Sequence, residues 1–125
     1  MSKFKFVEEY PFKTSPKVLY NYISTPGGLQ QWFANNVSVD SDHNYNIEWD
    51  GGVHTASVSK RINKSAKYDF QGDDEGNSLE LKLIQGELDG ATYLQIIDVS
   101  DNEDEEDLRD LWDGLINELK EIVGG

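Results

Sequence analysis

The chain contains no cysteine, so disulfide staples, a thiol nucleophile and cysteine-ligated zinc are all excluded. It has only two histidines, His43 and His54, and no Gly-x-Ser-x-Gly elbow. A nucleophile–base pair of the hydrolase kind therefore has little to be built from. No glycine loop of the phosphate-cradling type occurs; Gly27-Gly28 and Gly51-Gly52 read as turn residues. Nothing calls for a cofactor or a metal. No apolar run reaches the roughly 18 residues of a membrane span. The opening Met-Ser-Lys-Phe-Lys-Phe-Val-Glu-Glu lacks the apolar core of a signal peptide, and a cytoplasmic location is expected.

Positive charge is also scarce. Eleven basic residues face 24 acidic ones, for a net charge of −13. The imbalance is local: residues 1–70 carry eight basic and seven acidic side chains, whereas residues 71–125 carry three and 17. Such a surface is repelled by nucleic acid and by anionic membranes, so neither is an expected partner. A basic protein is the partner that this charge would attract.

The densest acidic stretch runs from Asp98 to Asp107, with seven carboxylates in ten residues. It reads as a solvated loop entering a helix, where carboxylates in the first turn favour the helix dipole. A calcium loop is the sharper alternative, because Asp101, Glu103 and Glu105 alternate. It fails where Glu106 replaces the turn glycine and Trp112 the bidentate glutamate.

What is present is enough for one folded unit. The 125 residues include three Trp, six Tyr and five Phe, and a chain of this length buries about two-thirds of its unfolded surface. A single domain over 1–125 is expected, with no repeat or linker. Phe4 and Phe6 alternate in a first strand. Ser15-Pro16 and Thr25-Pro26 are successive helix starts, leading two short helices. From Asn36 to Val99 the pattern is strand and turn throughout. Val37/Val39, Tyr45/Ile47/Trp49, Ala66/Tyr68/Phe70 and Leu79/Leu81/Leu83 each alternate. Asp50-Gly51-Gly52 marks a hairpin that places Trp49 on the face of His54, Ala56 and Val58. His54 then points into the interior or lies half exposed near the sheet end; His43 falls in a turn.

Period 3.6 returns at the end. Leu108, Leu111, Trp112, Leu115, Leu119, Ile122 and Val123 form the apolar stripe of a helix of 18–20 residues. The expected class is α+β. A curved antiparallel sheet of six to seven strands wraps one long C-terminal helix, with two short helices after the first strand. A sheet wider than its helix must curl, and the curl leaves room for an interior cavity. The inward set offers the candidate ligand contacts: Trp32, Phe33, Val39, Ile47, Trp49, His54, Tyr68, Phe70, Leu81, Leu94, Trp112 and Leu115. The same side chains can also simply pack together as core. A cyclase or isomerase needing one acid or base could use His54 or Tyr68.

Three segments carry a resemblance. They are Ser15-Pro16-Lys17-Val18-Leu19-Tyr20-Asn21-Tyr22-Ile23-Ser24-Thr25-Pro26 with Leu29 and Trp32-Phe33-Ala34, the strand Ala91–Asp98, and Trp112–Leu119. With the order of elements, they resemble the START-like, or helix-grip, superfamily (SRPBCC). Birch-pollen-allergen-type proteins belong to it, as do homologues of the ATPase activator of the ninety-kilodalton heat-shock chaperone. The nearest likeness is to a compact bacterial branch. The resemblance implies the helix-grip fold and a small hydrophobic ligand, a lipid or aromatic metabolite. It supplies no position-specific ligand motif, because the superfamily spans lipid carriers, cyclases, receptors and chaperone-activating modules.

Overall fold

The computed structural model describes residues 3–125. Strand β1 (Phe4–Phe12) is followed by helices α1 (Pro16–Ser24) and α2 (Pro26–Trp32). Six strands follow: β2 (Asn36–Val39), β3 (Tyr45–Trp49), β4 (Gly52–Arg61), β5 (Ser65–Phe70), β6 (Ser78–Gln85) and β7 (Thr92–Ser100). Helix α3 (Glu105–Val123) closes the chain. All seven strands form one antiparallel sheet in the order β1-β7-β6-β5-β4-β3-β2. The expected α+β architecture is thus the observed one.

Local chemistry explains the element ends. The Ser15 hydroxyl accepts from Val18 N–H, and Pro16 supplies the fixed φ of a first helical residue. Thr25 joins the two short helices: its hydroxyl accepts from Gly28 N–H at 2.9 Å and donates to the Asn21 carbonyl at 2.7 Å. The helices come so close that a Cβ on Gly28 would lie 2.0 Å from the Asn21 oxygen. Asp50 and Gly51 both have positive φ, so β3 and β4 are joined by a two-residue turn with Trp49 paired to Gly52. Asp104 caps α3 by accepting from Asp107 N–H at 3.1 Å, with Glu105, Glu106 and Asp107 in the first turn.

The core lies between the concave face of the sheet and the helices. Leu81, Leu94, Ile96, Ala56 and Ala66 form its floor; Leu19, Ile23, Leu29, Ile116 and Leu119 press on it from above. The buried row of α3 is Leu108, Trp112, Ile116 and Leu119. Ile116 replaces Leu111 in that row, and Leu111 is 53% exposed. The expected stripe was one residue too wide on the Leu111 and Ile122 side.

Three aromatic side chains finish α1. Its last carbonyls have no intrahelical N–H to accept from. Tyr45 Oη donates to the Ser24 carbonyl at 2.8 Å, Trp32 Nε1 to the Tyr22 carbonyl at 2.9 Å, and Tyr68 Oη to the Ile23 carbonyl. These bonds pin α1 over the middle of the sheet and fill that part of the interior.

Candidate functional site

At the other end, beside the first two turns of α3, the interior is not filled. A cavity of about 460 Å³ remains between α3, the ends of β6 and β7, the β3–β4 hairpin and the loop from Gln71 to Asn77. That volume falls within the range of roughly 300–1,000 Å³ typical of small-molecule sites.

Its apolar wall is a run of touching rings. Phe33 stacks on Trp112 with centroids 5.8 Å apart and planes 18° from parallel. Phe33 meets Trp49 edge-on at 5.4 Å, and Trp49 meets Phe70 edge-on at 5.8 Å. Leu108, Leu111 and Leu115 complete it from α3. The 3.6-residue period puts Leu111 and Leu115 on a flank beside the buried row, turned toward the opening, while Leu108 reaches the cavity from the buried row itself.

The polar groups gather at one end. Asp98 faces inward, on the parity of Leu94 and Ile96, between Phe6 on β1 and Leu79 on β6. Its Oδ2 accepts from Trp112 Nε1 at 2.9 Å. Burial pushes the Asp98 carboxyl above its ordinary pKa, and the bond from Trp112 pulls the other way. The side-chain oxygen of Asn77 is buried with no hydrogen-bond partner among the described residues. The register Ser78↔Val99 and Leu79↔Asp98 sets Asn77 beside this end of β7. At the rim His54 stacks on Trp49, centroids 4.2 Å apart, and its Nδ1 lies 2.7 Å from Asp74 Oδ2. The two side chains are 25% and 29% exposed, and they divide the cavity from a second, outward hollow lined by Val53, Thr55 and residues 71–73.

Of the twelve candidate ligand contacts, six line this cavity: Phe33, Trp49, His54, Phe70, Trp112 and Leu115. Five lie in closed core. Trp32, Ile47, Tyr68, Leu81 and Leu94 are each at most 3% exposed and do not reach the cavity. The twelfth, Val39, is corrected outright. It is 47% exposed, because it ends a four-residue edge strand beyond the cover that α2 gives Val37. Tyr68 also cannot serve as an acid or base. Its hydroxyl is committed to the Ile23 carbonyl, and burial, then Tyr45 and Tyr20, push its phenol far above the ordinary value. His54 adopts both expected positions at once, on the inward face and half exposed. His43 is exposed in its turn.

Asp98 is the second correction. Counted with the solvated acidic run, it is instead an inward residue of β7. The alternation Leu94-Ile96-Asp98 carries that signal, masked by the carboxylates that follow. Asn35, Asp50, Asp74 and Asn77 line the cavity from turns and loops, where no periodicity marks them. Among the described residues no group of three or more His, Asp or Glu side chains could hold a metal ion, and no helix is long and apolar enough to cross a membrane.

A curved sheet gripping a long helix, with an apolar cavity beneath that helix, defines a helix-grip protein. The START-like superfamily domain model matches residues 1–125, and the chain belongs to that superfamily, in which hydrophobic ligands are often bound. Solved structures agree in fold. The Aha1 dimer from Colwellia psychrerythraea aligns with TM-score 0.75 at 20% identity over 96% of both chains. Protein MLL2253 from Mesorhizobium loti aligns with TM-score 0.76 at 17% identity over 97% of both. CalU16 from Micromonospora echinospora aligns with TM-score 0.74 at 11% identity, over 97% of this chain and 76% of its own. Among curated proteins no match is found.

Proposed function

We propose that residues 1–125 act as one START-like unit that binds a small, largely apolar molecule, a lipid or an aromatic metabolite, between the curved sheet and α3. The observation that carries the reading is the cavity itself: about 460 Å³ of space, walled by rings and leucines, with its few polar groups at one end. An apolar body would be desolvated against Phe33, Trp49 and Trp112, while the polar end would fix its orientation. The exposed carboxylates of α3 could attract a basic protein. Nothing shapes them into a site, so the cavity carries the reading. Asp98 and His54 are the acid–base groups that a bound substrate could reach, and binding is the role assigned to them here.

Native mass spectrometry of gently purified protein, with extraction of what co-purifies, tests for a natural occupant. N-phenyl-naphthylamine fluorescence tests for the space itself. Leu115→Trp, at a half-buried position on the wall, fills the cavity from α3 without touching the closed core. The expected result is probe binding by the parent chain and its loss in Leu115→Trp, with the unfolding transition retained. Equal binding by both proteins would overturn the reading.

A further inference from the structure

We propose that the cavity selects a ring-bearing amine, its ammonium held at the Asp98–Asn77 end and its ring against Phe33 and Trp112. The inference rests on the binding role proposed above and names the class of ligand. It follows from an accounting of donors and acceptors. The charged side chains lining the cavity are carboxylates: Asp50, Asp74 and Asp98. No Lys or Arg lines it among the described residues. Asn35, Ser78 and Ser100 bring neutral donors to the lining, but its carboxylates face no Lys or Arg. Among the described residues, Asn77 adds a buried carbonyl oxygen without a donor, and the Asp98 carboxylate accepts only from Trp112. A buried acceptor left without a partner is unfavourable, and so is a desolvated carboxylate without a counter-charge. An ammonium group relieves both, since it brings three donors and a positive charge to one point.

The walls favour the same chemistry. The ligand's ring gains contact with the aromatic wall of Phe33 and Trp112, while its ammonium lies beside the Asp98 carboxylate that already accepts from Trp112. A carboxylate head group, as on a fatty acid, would meet three acids and no Lys or Arg, so the same residues act against it. Asp74 is already engaged by His54 at the rim. Asp50 is exposed in the β3–β4 turn, so Asp98, deeper and on the inward face, is the group left to receive the ammonium.

Isothermal titration with three indoles that differ only in the head group tests this. Tryptamine carries the ammonium, tryptophol a neutral hydroxyl and indoleacetate a carboxylate. Tryptamine is expected to bind about ten-fold tighter than tryptophol, and indoleacetate most weakly. D98N should remove about ten-fold of the tryptamine affinity and leave tryptophol within about two-fold. E118Q, on the exposed face of α3, makes the same change in net charge and should affect neither probe. Tryptophol binding as tightly as tryptamine overturns the proposal, and so does E118Q acting as strongly as D98N. If no indole binds while N-phenyl-naphthylamine still does, the amine proposal fails and the cavity reading stands. Loss of both overturns both.

Discussion

Trp112→Phe is the perturbation that tests the polar end of the cavity. Trp112 is 2% exposed, packs against Trp32 and Phe33, and donates its indole N–H to Asp98 at 2.9 Å. A phenyl ring keeps most of the packing. It loses about 40 Å² of apolar contact, worth ~1 kcal/mol at roughly 25 cal/mol per Å². It also removes the only hydrogen bond that the Asp98 carboxylate accepts among the described residues, worth about 1.5–3 kcal/mol for a charged acceptor. The substitution should therefore cost about 2.5–4 kcal/mol at neutral pH, or roughly 10–15 °C in Tm for a chain of this size. The double-mutant cycle separates the two contributions. In a D98N background the charge is gone, so Trp112→Phe should cost about 1–2 kcal/mol less than in the parent. Urea unfolding followed by far-ultraviolet circular dichroism, at constant m-value, reads all four corners of the cycle. Additivity within about 0.5 kcal/mol would refute the account, because it would show that the indole and the carboxylate do not act on each other.

Other outcomes follow from the same contacts. Burial raises the Asp98 pKa in the folded state, so folding holds that proton more tightly and Asp98 lowers stability as pH rises through its folded pKa. D98N should therefore be more stable than the parent at neutral pH, with the two unfolding midpoints converging as pH falls through the carboxylate range. Gly28→Ala places a methyl 2.0 Å from the Asn21 oxygen and 2.7 Å from Tyr22 Cα, and should lose about 3 kcal/mol in urea unfolding as α2 is pushed off α1. Tyr68→Phe leaves the Ile23 carbonyl at the end of α1 without its donor, and should cost about 1–3 kcal/mol while leaving N-phenyl-naphthylamine binding unchanged.

The parts legible in the sequence were those with a period. Alternation in β3 and the Asp50-Gly51 turn put Trp49 and His54 on one face, and the register Ile47↔His54 agrees. The 3.6-residue stripe located α3 to within its first turn. Periodicity says which face a residue is on. It does not say whether that face is covered at that point along the strand. Val39 and Val37 share a parity, yet one ends an uncovered edge strand and the other is buried. Tyr68 and Trp32 share the inward face with Phe70 and Phe33, yet they turn their polar tips to α1. That distinction depends on which helix carbonyls lack partners, a property of how three elements meet. The loop residues Asp74 and Asn77 join the cavity only because β5 and β6 end where they do.

The two ends of the interior answer the same physical problem differently. At α1, buried polar groups come in matched sets: three carbonyls meet one phenol each from β3 and β5 and one indole from α2. Such matching closes a core, and Trp32, Tyr45 and Tyr68 are buried there. Beside α3 the sets do not match. The indole of Trp112 serves one carboxylate oxygen, Asn77 presents an acceptor to nothing, and the rings around them enclose space. Stability alone favours an aliphatic residue at the register of Asp98, since Phe6 and Leu79 flank it and the sheet needs no charge there. A fold that satisfies its polar groups so completely at one end, and leaves acceptors over at the other, has a local requirement that packing does not supply. The donor-bearing ligand proposed above would supply it, at the place where the helix leaves the sheet unfilled.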